Sequence, residues 1–196
     1  LDGGDMADTL RGGEAGDTLA GGAGNDLIEL QGAAAADGGL DADTLRGALG
    51  ATIAGGDGDD LLLASAEGGT LDGGDGSDTL LGDAGADSLD AGAGDDLLDG
   101  GAGDDFLASD TGNDTMVVGA GNDTVTSFSG ADVVLLRPDA GRGGGVTIAM
   151  IQFGLDDLLD FSAIDADPST LGDDALQLVG AFTGAAGQVT LTELAI

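Results

Sequence analysis

Gly55-Gly-Asp-Gly-Asp-Asp-Leu-Leu-Leu63 is followed, after nine intervening residues, by Gly73-Gly-Asp-Gly-Ser-Asp-Thr-Leu-Leu81, and Gly100-Gly-Ala-Gly-Asp-Asp-Phe-Leu-Ala108 has the same form. Each block opens on paired glycines, carries an aspartate at its sixth position and an apolar residue at its eighth. With that eighth position as a ruler, the pattern runs outward in both directions. Apolar residues fall at Leu10, Leu19, Ile28, Ala36, Leu45, Ile53, Leu62, Leu71, Leu80, Leu89, Leu98, Leu107, Met116, Val125 and Val134. The spacing is nine throughout, except for two blocks of eight that end at Ala36 and Ile53.

This period selects the fold. Three residues around each apolar position make a short strand with that side chain turned inward. The six Gly/Asp-rich residues between strands make a turn, because glycine reaches backbone angles other residues avoid. Two such blocks close one coil, so residues eighteen apart stack, and only stacking buries the apolar row. The predicted fold is all-β: a right-handed parallel β-roll, a solenoid of about fifteen nonapeptide repeats with a C-terminal β-rich cap. The predicted division is residues 1–137 for the roll and 138–196 for the cap. One small apolar side chain per strand is a thin core, so the turns need a further source of stability.

Composition says what that source is. Four basic residues, all arginine, stand against 38 acidic ones, a net charge of −34. A polyanion of this density repels nucleic acid and anionic membranes and attracts metal cations. Oxygen ligands alone favour hard ions, Ca²⁺ before Mg²⁺. Such acidity can accompany disorder, but 41% of the residues are hydrophobic and they keep the period. The chain has no Cys, His, Lys, Tyr or Trp. That leaves no disulfide, thiolate zinc site, Ser-His-Asp triad or Schiff-base lysine. No catalytic site is predicted, and paired carboxylates of a glycosidase kind are disfavoured because the period accounts for every turn aspartate. No apolar run reaches the length of a membrane span, and no signal peptide opens the chain. Leu1 already lies inside a repeat, so further chain upstream is expected.

The turn aspartate lies two residues before the apolar ruler, and sorting it by side gives two unequal ladders. One side reads Asp8, Asp26, Asp43, Asp60, Asp78, Asp96, Asp114 and Asp132, without a gap. The other reads Asp17, Ala34, Ala51, Gly69, Asp87, Asp105 and Asp123, broken in the middle where the two short blocks fall. Asp suits tight turns by itself, but a stack of eight at one interval exceeds what turn preference explains. Extra carboxylates such as Asp57, Asp59, Asp95 and Asp104 read as solvated turn charge.

The blocks follow Gly-Gly-x-Gly-x-Asp-x-U-x, with U apolar, which resembles the calcium-binding nonapeptide repeats of the RTX (repeats-in-toxin) family. The resemblance implies calcium ions between turns of adjacent coils, each held by an Asp carboxylate from either turn and by backbone carbonyls. The carbonyl donors implied here include Gly56, Gly58, Gly74, Gly76, Gly92, Gly94, Gly101, Gly103, Gly112, Gly119 and Gly121. Pairing consecutive aspartates gives seven sites on the complete side and two on the other, Asp87–Asp105 and Asp105–Asp123. Nine ions at +2 each would add +18 and bring −34 to about −16. Met6 and Asp41 stand where the third glycine belongs, and Ser109-Asp110 and Ser127-Phe128 replace the glycine pair, so weak or empty end sites are expected.

Beyond Leu136-Arg137-Pro138 the repeat stops, Gly141–Gly145 reads as a break, and Val146–Phe153 and Val189–Leu194 have strand character. Phe153-Gly-Leu-Asp-Asp-Leu-Leu-Asp-Phe-Ser-Ala-Ile-Asp-Ala166 and the segment Leu178–Leu191 resemble the region after the β-roll in serralysin-type secreted metalloproteases. The final Glu193-Leu194-Ala195-Ile196 resembles the tail of type I secretion substrates. That family's zinc protease centre has no counterpart in this chain, which lacks histidine. The resemblance implies a secreted, extracellular or cell-surface protein that folds on Ca²⁺ after export by type I secretion machinery.

A structural alternative rests on the outward strand positions. Thr9, Leu27, Thr44, Leu61, Thr79, Leu97, Thr115 and Val133 precede the ruler on one side, and Leu63, Leu81, Val117 and Leu135 follow it. Such a face suits docking to another domain, a cell surface or further copies, as in an adhesin, surface layer or fibre.

Overall fold

A computed structural model describes residues 1–137, 147–152 and 158–160. Among the described residues all regular structure is strand, and no helix is long and apolar enough to cross a membrane. Strands β1 (Asp2–Asp5), β3 (Thr18–Ala23), β5 (Ala35–Leu40), β7 (Thr52–Asp57), β9 (Thr70–Asp75), β11 (Ser88–Ala93), β13 (Phe106–Thr111), β15 (Asn122–Ser129) and β17 (Thr147–Gln152) make one parallel sheet. Strands β2 (Thr9–Gly12), β4 (Leu27–Leu30), β6 (Thr44–Arg46), β8 (Leu61–Leu63), β10 (Thr79–Leu81), β12 (Leu97–Asp99), β14 (Thr115–Val118), β16 (Val133–Leu136) and β18 (Leu158–Asp160) make the other. The chain alternates between the two sheets, so each strand pairs with the next but one. This is the parallel solenoid that the nine-residue period predicts.

Register follows the apolar ruler. Leu71 pairs with Leu89, and Leu80 with Leu98. The ruler residues from Leu10 to Val134 are buried and form one continuous core. In the odd strands the alternation of side chains brings a second residue inward, two after the ruler. In β7 both Ile53 and Gly55 are buried, while Thr52 is exposed. Most residues at this second inward position are small, which keeps the sheets close and the core thin.

Two corrections refine the repeat count. The roll has about eight turns, since each coil consumes two of the units counted in the sequence. Strict nonapeptides number fewer than fifteen, because the blocks ending at Ala36 and Ile53 have eight residues. The register survives this deletion: Leu19 pairs with Ala36 and Ile28 with Leu45, seventeen residues apart rather than eighteen. The missing residue comes out of the turn and not out of a strand, where a one-residue slip would turn the buried side chains outward.

Both sheets continue past Arg137, through β17 on β15 and β18 on β16. The strand expected over Val146–Phe153 is β17. The strand expected over Val189–Leu194, the glycine break at Gly141–Gly145 and the tail Glu193–Ile196 lie outside the described residues. So does most of the cap segment Phe153–Ala166, apart from β18.

Candidate metal centre

The turns that lead from the odd-strand sheet into the even-strand sheet form the first edge of the roll, and they carry the complete aspartate ladder. Asp26, Asp43, Asp60, Asp78, Asp96, Asp114 and Asp132 are each 1–3% exposed, and Asp8 at the open end is half-buried. Each carboxylate is tied to the previous turn. The backbone N–H of Asp8 donates to Oδ1 of Asp26, that of Asp26 to Asp43, and that of Asp43 to Asp60, all at 2.7 Å. The same bond runs on from Asp60 to Asp78, Asp78 to Asp96, Asp96 to Asp114 and Asp114 to Asp132, at 2.7–2.9 Å.

The other carboxylate oxygen is different. Oδ2 of Asp26, Asp43, Asp60, Asp78, Asp96 and Asp114 is buried and has no hydrogen-bond partner. On the second edge Oδ2 of Asp87 and Asp123 is in the same condition. Buried acceptors without a donor are costly, and a carboxylate oxygen more so. Those of Asp26, Asp43, Asp60, Asp78 and Asp87 share their surroundings with a carbonyl of the next coil. A Cβ placed on Gly21 would stand against Asp26 Oδ2 and lie 2.5 Å from the Gly38 carbonyl oxygen, and Gly55 repeats this with Asp60 and Gly73. Acceptor oxygens from two turns thus converge with no proton between them, which is the donor set a hard cation takes. Among the described residues no three acidic side chains converge as a ready-made cage. Backbone carbonyls would therefore supply most of the six to eight oxygens of a calcium ion.

Columns of turn glycines flank the ladder. Gly56, Gly58, Gly74, Gly76, Gly92, Gly94, Gly101, Gly103, Gly112 and Gly121 all have positive φ. A Cβ on Gly74 would run into the Gly56 carbonyl oxygen, and one on Gly119 into that of Gly101. At Gly74 glycine is required on both counts, conformation and space, and at Gly119 for space alone. Met6, Asp41 and Asp83 occupy glycine positions at φ 74°, 72° and 71°, a conformation that L-residues pay to adopt.

Burial controls the charge state of the ladder. It pushes the carboxyls of Asp43 and Asp78 up to about 6, and those of Asp87, Asp96 and Asp123 up to about 7. Asp60, Asp105 and Asp114 move upward for the same reason. The backbone N–H that each receives pulls the other way, and neighbouring carboxylates add to the rise. A stack of buried carboxylates at neutral pH thus lacks positive charge, and cations would relieve it.

The second edge is unequal, as its sequence predicts. The backbone N–H of Gly69 donates to Asp87 Oδ1 at 2.6 Å, Asp87 to Asp105 at 2.9 Å, and Asp105 to Asp123 at 3.0 Å. Before that point the ladder is replaced by apolar packing. Leu30, Ala34 and Ala51 are buried in the core, with Ala48 and Ala64 against it. Three of these turns close on themselves through the bonds Asp17 N to Glu14 O, Ala51 N to Ala48 O and Gly68 N to Ser65 O, each 3.0 Å. Asp17 is exposed and caps its own turn, accepting from the Glu14 N–H at 2.9 Å.

Two features escaped the sequence reading. Asp59, Asp95 and Asp104 are exposed, as solvated charge should be, yet each bridges to the next turn. Asp59 accepts from the Ser77 N–H, and Asp95 and Asp104 accept from both nitrogens of Asn113 and Asn122. The signal lay in Ser or Asn recurring eighteen residues after an Asp. On the outer face of the even-strand sheet, Val117 is buried, not exposed, while Leu97 is exposed and Leu61, Leu63, Leu81 and Leu135 are half-buried. Arg137 reaches across this face to Asp99 at 3.8 Å.

Stacked parallel coils with an aspartate and glycines at fixed places in each turn define a calcium-binding repeat solenoid. Residues 2–32, 72–107 and 109–137 match the RTX calcium-binding nonapeptide repeat, in four copies. The chain carries RTX calcium-binding nonapeptide repeats. The unmatched stretch between residues 32 and 72 is the one with short blocks and an apolar second edge. No curated protein and no solved structure matches the chain.

Proposed function

We propose that this calcium-binding RTX domain belongs to a secreted bacterial protein, and that it folds when calcium enters its turns after type I export. The row of buried, partnerless Oδ2 atoms along the first edge carries the reading. The proposed ligands are the ladder aspartates with carbonyls of the turn glycines, and residues 138–196 are assigned to capping and secretion. Bound ions would neutralise adjacent carboxylates that otherwise repel, so binding free energy becomes folding free energy. Where calcium is scarce the chain stays open and threads a channel; where it is abundant the roll closes. Far-UV circular dichroism at pH 7 tests this, with β-structure expected only on adding Ca²⁺. A fully folded chain in chelator would sink the proposal.

The half-buried leucines beside Leu97 favour a second reading, an assembly module of an adhesin, surface layer or fibre. Sedimentation separates the two, since self-association in Ca²⁺ is expected only of the assembly module.

A further inference from the structure

Two junctions between successive coils carry the inner aspartates on both edges. They lie between residues 70–87 and 88–105, and between residues 88–105 and 106–123. Without ions, like charges are most crowded there. Outside the inner ladder runs a second column, one residue before each aspartate, and at the second of these junctions it is bridged on both edges. On the first edge Asp95 Oδ1 accepts from the backbone N–H of Asn113 at 2.8 Å and from its side-chain amide at 3.1 Å. On the second edge Asp104 Oδ1 accepts the same pair from Asn122, at 2.9 and 3.1 Å. Asn113 Oδ1 in turn accepts from the Ala131 N–H at 3.1 Å, which carries the first-edge column on to a third turn. Asp95, Asp104, Asn113 and Asn122 are all exposed, so these bonds form without burying a charge. The bridge from Asp59 to the Ser77 N–H, by contrast, holds its junction at the first edge alone.

An amide donor does for the outer column what a cation is proposed to do for the inner one. It sets a positive end against a carboxylate, and it needs no ion. We propose that Asp95–Asn113 and Asp104–Asn122 are a paired clasp that holds coils 88–105 and 106–123 in register independently of calcium, at a junction where two inner ladders repel. This deepens the reading of calcium-dependent folding and rests on it: the clasp presets both edges of this junction for the ions that the inner aspartates take.

The test is chemical unfolding of the full chain at two saturating calcium concentrations, with bound ions counted by calcium titration. N113A/N122A removes the amide donors and leaves every inner aspartate in place. It is expected to lower the folding equilibrium constant about three- to tenfold, by the same factor at both concentrations and with the ion count of wild type. N113D/N122D keeps the shape but sets carboxylate against carboxylate, and is expected to lose more than the alanine variant. Asn25 is exposed in the same column and makes no such bridge among the described residues, so N25A is expected to stay within about twofold of wild type. In a D104A background N122A is expected to cost nothing further. No loss in N113A/N122A, a reduced ion count, an equal loss in N25A, or a full loss from N122A in the D104A background overturns the proposal. Wild type that does not fold on calcium would instead be a failure of the calcium reading itself.

Discussion

The backbone N–H of Asp60 donates to Oδ1 of Asp78 at 2.8 Å, while Oδ2 of the same carboxylate is buried without a partner. One oxygen thus fixes the stacking of two coils, and the other is the proposed ligand of a cation. Asp78→Asn separates these tasks. The amide keeps the accepting oxygen and places an N–H₂ where Oδ2 stood, close to the Ala91 carbonyl. Removing a buried charge is expected to favour the calcium-free roll by on the order of 1–2 kcal/mol. Circular dichroism in chelator at pH 7 should show more β-structure than wild type, while calcium titration shows weaker binding. A variant that lost β-structure in chelator and kept full calcium affinity would contradict this division of roles.

The same carboxylates set a pH dependence. An unfolded aspartate titrates near 3.9, whereas Asp43 and Asp78 titrate at about 6 and Asp87, Asp96 and Asp123 at about 7 in the roll. Between these values the folded chain binds more protons than the unfolded one. The stability they give the metal-free roll is therefore complete below about 4 and is lost as pH rises through 6 and 7. In chelator, lowering the pH from 7.5 to 5 is expected to induce β-structure, with protons standing in for calcium. With calcium present the sign reverses for binding, and affinity falls over the same window. A metal-free chain that unfolds further on acidification would refute the assignment.

The period carried most of the fold, because each apolar residue from Leu10 to Val134 has one role and one interval. The inequality of the two edges was equally plain, since Ala34, Ala51 and Gly69 stand where aspartates belong. What fills the gap was not plain. That Leu30, Ala34 and Ala51 join the core depends on which turns pack together, a relation seventeen or eighteen residues long. The bridges from Asp95 to Asn113 and Asp104 to Asn122 have the same origin. Serine in place of glycine at 127 read as a weak or empty site, but the spacing did not show the hydroxyl engaged with Asp132. The difference is one of side-chain direction, which spacing alone does not carry.

The apolar stretch of the second edge yields a further expectation. Ala51 is 2% exposed, in a shortened turn closed by its own N–H to the Ala48 carbonyl. Ala51→Asp restores the aspartate of the ladder in sequence but not its surroundings. The nearest turns offer Ala34 and Gly69, with no carboxylate to share an ion. The variant is expected to be destabilised by about 2–4 kcal/mol, as an unpaired charge enters the core. Added calcium is expected neither to bind in greater number nor to recover the loss. Chemical unfolding at two calcium concentrations checks both points, and recovery at high calcium would show that the apolar turn can convert to a site.

The glycine columns can be tested with strain held constant. Gly12 has φ 142° and Gly76 φ 141°, so alanine at either position enters the same unfavourable φ region, at a cost of about 1–3 kcal/mol. Their surroundings differ. A Cβ on Gly12 has nothing within 4 Å, whereas one on Gly76 runs into the Gly58 carbonyl oxygen. Gly12→Ala therefore measures strain alone, and Gly76→Ala measures strain plus the crowding of two stacked turns. The second variant is expected to melt clearly lower than the first in saturating calcium, and to need more calcium to fold, because the crowded carbonyl is among the proposed ligands. Equal losses from both would mean that glycine is needed only for its backbone angles, and that the space beside the Gly58 carbonyl is not part of a cation seat.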